Sequence, residues 1–261
     1  MMGNFFGFKW TLPLAIGLSL FGTHSALAGA AFRLSPPRMV FTPAGSGATR
    51  SFRIESTGDQ PVAVEIHMAK RQVNLDGTET QPSAEEEFVV YPPQMLLKPG
   101  TSQTVRVTWL GDPNPSAELA YRIIAEQLPI NLPEVAQNQG GAIVKLKALY
   151  RYVGSIFITP NKAAPKVIVE QAVCQATPGK ANQLLLTFAN QGTAHTYLSG
   201  LKLHLAPVGQ ESKVVNLLPD QLKGVNGENM LAGSKRQFAL ACPTAFPVGP
   251  VSATFEFDAN Q

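Results

Sequence analysis

Lys145 and Lys147 alternate with apolar residues in AIVKLKALYRY (Ala142–Tyr152), a run that reads as a β-strand. A lysine at the end of a strand that accepts an extended partner can hold the partner's terminal carboxylate through a charge-assisted hydrogen bond. Other chemistry-bearing residues are few. Cys174 and Cys242 lie 68 positions apart in the second half. In an oxidising compartment they are expected to form one disulfide, worth about 4 kcal/mol by loop-closure entropy. A metal site needs more ligands, and no histidine is near either cysteine in sequence. His67, His195 and His204 are scattered, with no nucleophile elbow or acidic cluster beside them. No catalysis, metal or cofactor is expected from this set.

Strands must position these groups. The chain has 21 prolines and 22 glycines, no long helical periodicity, and many short apolar runs bounded by turn residues. Thr49–Ser56, Val62–Arg71, Phe88–Tyr91, Thr101–Leu110 and Leu119–Leu128 read as strands of a first sandwich. Val105, Val107 and Trp109 share its core face. Phe32–Phe41 is interrupted by Pro36 and Pro37, which cannot donate to a ladder, so it belongs on an edge or at a kink. Glu85–Glu87 reads as a solvated charge run. Ala142–Tyr152 reads as the last strand of this domain (31–153), with a connector from Gly154 to Asn161. A second, smaller sandwich (154–261) follows, with strands near 166–172, 182–190, 198–206, 213–218, 236–242 and 251–258.

Residues 1–30 carry one charge, Lys9, an apolar stretch from Leu12 to Phe21, and small residues at Ser25–Ala28 and Ala30. This is the pattern of a signal peptide, with cleavage after Ala28 or Ala30 equally consistent. The alternative is a retained anchor. The formal charge of +3 is small and spread out, which gives no case for nucleic acid.

Three segments go beyond a generic sandwich. Arg38-Met-Val-Phe41 resembles an "RvvF" start. Glu118–Pro129 (ELAYRIIAEQLP) is similar to the strand "sLFYlnlreIP", and Lys147–Arg151 (KALYR) to the ending "KLFYRP". In this order they resemble the periplasmic pilus-assembly chaperones of the chaperone–usher system. That family has two immunoglobulin-like domains set in an L. The resemblance implies donor-strand complementation: the chaperone lends an edge strand to a pilin that lacks its last one, then releases the subunit to an outer-membrane usher.

The resemblance also implies roles. Arg38 and Lys147 match the pair that holds the pilin's terminal carboxylate. Arg151 matches an interdomain arginine, with Asp258 as its counterpart, although Tyr152 stands where the family has proline. The usual donor positions fall on Ala142, Gly140 and Asn138, none of them bulky. Ala142, Ile143, Val144 and Leu146 are therefore the donor candidates, with Leu132 and Val135 upstream. This shifted register suggests the archaic branch. Ile143 and Leu146 packing only their own domain is the plain alternative. The free edge needs protection, by a self-capping homo-oligomer or an unstructured 133–141 segment. The competing reading of the whole chain is a structural or adhesive pair of immunoglobulin-like domains, or a pilin.

Overall fold

The computed structural model describes residues 30–129, 135–139, 142–146 and 149–258, with 135–139 and 142–146 described by backbone pairing. Most of the expected signal segment, Leu132 and Lys147 lie outside the described residues. Among the described residues every regular element longer than a short 3-10 turn is a strand, as the sequence leads one to expect. The first unit contains β1 (Phe32–Ser35), β2 (Arg38–Phe41), β3 (Thr49–Ser56), β4 (Val62–Lys70), β5 (Gln72–Val73), β6 (Glu79–Thr80) and β7 (Phe88–Tyr91). It continues with β8 (Gln94–Leu97), β9 (Ser102–Trp109), β10 (Leu119–Gln127), β11 (Val135–Gln139), β12 (Ala142–Leu146) and β13 (Arg151–Ile158).

One sheet has the order β1-β3-β9-β7 and the other β2-β13-β10-β4-β8. Strand alternation turns one face of each toward a shared core. Phe32, Phe41, Phe52, Ile54, Met68, Ile123 and Ile156 are fully buried there. Each contributes about 1.5–3 kcal/mol of apolar burial. Trp109 is a core residue, its ring against Phe88 and Tyr121. At Pro36 and Pro37 the missing N–H donors end one ladder, and the chain crosses between sheets. β1 pairs with β3, and β2 pairs in parallel with β13, Arg38 opposite Ser155.

Three expectations need correcting. Ala142–Tyr152 is not one strand: β12 covers Ala142–Leu146 and pairs with β11, and β13 begins at Arg151 and pairs with β10. Gly154 does not begin a connector: β13 runs on to Ile158 and pairs with β10 along its whole length. The glycine marks close approach rather than a strand end, because a Cβ there would lie 2.8 Å from Cγ2 of Ile123 and 3.2 Å from the Pro37 carbonyl. Nor is Glu85–Glu87 merely solvated. It forms a 3-10 turn in which Glu85 accepts the Met68 N–H at 2.9 Å. Glu87 accepts the Tyr121 hydroxyl at 2.5 Å and pairs with Lys70 at 2.7 Å.

The second unit contains β14 (Val167–Gln175), β15 (Gln183–Asn190), β16 (Thr196–Tyr197), β17 (Lys202–Pro207), β18 (Val215–Leu217), β19 (Asn229–Met230), β20 (Lys235–Ala241) and β21 (Gly249–Glu256). Six of these form a sheet of order β18-β17-β21-β14-β15-β20, and β16 pairs with β19. Leu184, Leu186, Phe188, Leu203, Leu205 and Met230 fill its core. Cys174 and Cys242 are bonded as expected, with Cα atoms 5.7 Å apart.

Candidate functional site

The five-stranded sheet of the first unit carries a row of polar residues across β2, β13 and β10: Arg38, Ser155 and Arg122 are register partners. Arg122 donates from Nη1 to the Ser155 hydroxyl at 2.5 Å. Its Nε and Nη2 grip both carboxylate oxygens of Glu79 on β6. Arg71 donates to the same carboxylate at 3.0 Å, and Gln81 at 2.8 Å. Burial would by itself raise the Glu79 carboxyl, but the bonds from Arg122, Gln81 and Arg71 outweigh it and hold the group at about 2. Burial lowers Arg71, with the Arg122 charge acting the same way. Two guanidinium groups share one carboxylate, so this half-buried cluster keeps a net positive charge. Arg38 adds a third cation, exposed to solvent.

Glu118, the residue before β10, joins this sheet to the second unit. Its side chain is 3% exposed. One oxygen accepts the Thr159 hydroxyl at 2.7 Å. The other accepts the His195 backbone N–H at 2.9 Å and meets Nδ1 of the same histidine at 2.5 Å. The Glu118 N–H donates to the Thr193 carbonyl. The His195 ring stacks on Phe157 of β13, centroids 3.7 Å apart and planes within 8°. It also meets Tyr197 edge to face at 5.6 Å. Tyr197 in turn lies under the guanidinium of Arg38, 5.0 Å from Cζ to the ring centroid.

A second bridge comes from the β5–β6 hairpin. The Leu75 carbonyl accepts the Gln237 N–H at 2.7 Å. Gly77 fits beside Arg236 with a positive φ of 89°, where any Cβ would lie 2.3 Å from Nη2.

Of the residues singled out from sequence, Arg38 lies on β2 at this junction. Lys147 is outside the described residues. Ala142, Ile143, Val144 and Leu146 all fall within β12, which pairs antiparallel with β11; Val135 is the register partner of Leu146. Among the described residues this hairpin is a two-stranded sheet of its own, joined by no ladder to the sandwich.

The expected pair of Arg151 with Asp258 is not formed. Arg151 pairs with Glu126, its register partner, at 3.9 Å and donates to Gln81. Asp258 is bonded within its own unit, its N–H to the Ser199 carbonyl. The reason is position: Arg151 begins β13, roughly 20 Å along the strand from Phe157, whose ring meets the second unit. Glu118 and His195 were passed over because they are 77 residues apart, with no local pattern to link them. The one hint in the sequence is an acidic residue immediately before the strand Leu119–Gln127.

Residues 31–164, just over half of the chain, match the family model described as "Pili and flagellar-assembly chaperone, PapD N-terminal domain". The chain belongs to this family of pilus-assembly chaperones. The likeness extends to solved structures through both units. One is a chain of a chaperone–tip adhesin complex of CFA/I fimbriae biogenesis, 13% identical over 87% of this chain and 99% of that one, with a TM-score of 0.53. The class 5 fimbriae chaperone CfaA is 13% identical over 85% and 98%, with a TM-score of 0.53. A chain of the CsuC–CsuE pre-assembly complex from the archaic Csu pili of Acinetobacter baumannii is 17% identical over 86% and 98%, with a TM-score of 0.52. At these identities the shared property is the two-sandwich chaperone fold. Among curated proteins, none matches the chain in sequence.

Proposed function

We propose that this pilus-assembly chaperone works in the periplasm by lending β12 to an unfinished pilin subunit and passing the capped subunit to an outer-membrane usher. Arg38 and Lys147 hold the pilin's terminal carboxylate. The observation that carries this reading is the independence of the β11–β12 hairpin: β12 spends none of its backbone bonds on the sandwich sheets among the described residues. A strand so placed can complete another protein's sheet, with backbone bonds giving affinity and side-chain pockets giving fit. Pairing with β11 satisfies one of its edges in the free protein and limits pairing with other copies. The terminal carboxylate fixes where zipping starts, and a slip of one residue would turn the wrong side chains into the groove.

The deciding experiment is co-expression with a pilin subunit. A soluble one-to-one complex that protects the subunit from proteolysis is expected. An adhesive or structural pair of domains would leave the subunit to be degraded.

A further inference from the structure

The anchor arginine is not held by its own domain alone. Arg38 is exposed on an edge strand, where a guanidinium on a flexible stem loses much rotamer freedom when it binds an anion. Among the described residues it takes part in no ion pair. Its guanidinium lies over the face of Tyr197, a residue of the second unit. Tyr197 is itself placed. It sits on β16 opposite Asn229, and its ring meets the edge of His195, which is clamped between Glu118 and Phe157.

From this chain of contacts we infer that Tyr197 is a positioning residue for carboxylate capture: it stacks under Arg38 and presents the guanidinium to the end of the bound strand. The inference rests on the anchor reading above and goes beyond it, because it makes the carboxylate site a joint product of both domains. A cation over an aromatic face is favoured by the ring quadrupole, and the planar guanidinium keeps its edge donors free while stacked. Stacking and bidentate carboxylate binding therefore operate together on the same side chain.

The test uses the full chain and a synthetic peptide of alternating valine and threonine, made once as the free acid and once as the C-terminal amide. The quantity read is the ratio of the two affinities by calorimetry. In the unmodified protein the acid is expected to bind about tenfold tighter or more, the size of a charge-assisted bond. Tyr197→Leu should cut that ratio about two- to fivefold, the usual strength of an exposed cation–π contact. Tyr197→Phe, which keeps the ring, should retain it.

In an Arg38→Ala background, Tyr197→Leu should change the ratio no further, since its effect passes through the guanidinium. An unchanged ratio in Tyr197→Leu overturns the inference, and so does an equal loss in both backgrounds, which would mark Tyr197 as a structural residue only. If the unmodified protein itself fails to prefer the acid, the carboxylate anchor falls instead. The Phe variant and the double variant keep these outcomes separable even where Tyr197→Leu lowers stability.

Discussion

Oε1 of Glu118 and Nδ1 of His195 meet at 2.5 Å across the boundary between the two sandwiches, with the side chains 3% and 15% exposed. A buried polar group of this kind must find partners, and Glu118 finds them in both units: Thr159 at the end of the first, His195 in the second.

Replacing Glu118 with Ala leaves the part-buried Thr159 hydroxyl and His195 N–H without their acceptor. The expected cost is about 3 kcal/mol of stability, together with a looser arrangement of the two units. Small-angle scattering should register a larger radius of gyration, and thermal melting a lower midpoint. Glu118→Gln, whose amide oxygen still accepts from the backbone, should be milder. Indistinguishable scattering curves for the alanine variant would remove Glu118 from the set of orienting contacts.

The Arg71–Glu79–Arg122 cluster makes stability depend on acid in a defined window. The Glu79 carboxyl is held at about 2, against 4.5 for the unperturbed group. A depressed carboxyl contributes fully above its unfolded value, and the contribution is lost as pH falls. The window therefore runs from pH 4.5 down to about 2. Glu79→Gln is expected to cost on the order of 2 kcal/mol at neutral pH, the worth of hydrogen bonds to a charged group. The gap between variant and parent should close as pH drops through the window. Urea unfolding at pH 7 and near the foot of the window checks it, and a gap that stays constant would count against an ionised Glu79.

Arg38→Ala and Lys147→Ala should each weaken pilin capture by about tenfold or more while leaving the protein folded. Extending the pilin past its last residue should have a similar effect, by moving the carboxylate away from the anchor. Pull-down of a tagged pilin gives the first measure. Normal capture by the double variant would rule out a carboxylate anchor at these residues.

Cys174→Ser with Cys242→Ser removes a link that closes a 68-residue separation, and is expected to cost the second unit about 4 kcal/mol. Reduction of the parent should reproduce the loss. Chemical unfolding followed with and without reductant is sufficient, and equal midpoints would show that the bond contributes nothing to stability.

Much of the scaffold could be read from the chain because strand alternation is a local signal. β3 and β7 have the bounds expected of them, and Trp109 is in the core. Arg38 could be singled out because Arg38–Phe41 resembles the start of the family's first strand; residue type alone would leave it an ordinary exposed arginine. What could not be read are relations between distant residues. Glu118 and His195 announce nothing to each other, and Tyr197 sits on a two-residue strand too short for any periodicity. Arg151 was paired with Asp258 by family resemblance, but the register places it beside Glu126 instead. Gly154 reads in sequence as a break because glycine usually is one; in the fold it is the space that Ile123 and Pro37 require.

The second bridge, from the Leu75 carbonyl to the Gln237 amide, changes how the molecule can flex. One point of attachment would be a ball joint; two, set apart, define a line. Rotation about that line is the soft motion left to the pair, and twisting across it would have to break one end. Motion of one sandwich against the other is thus expected to be a hinge about that line and not a free swivel.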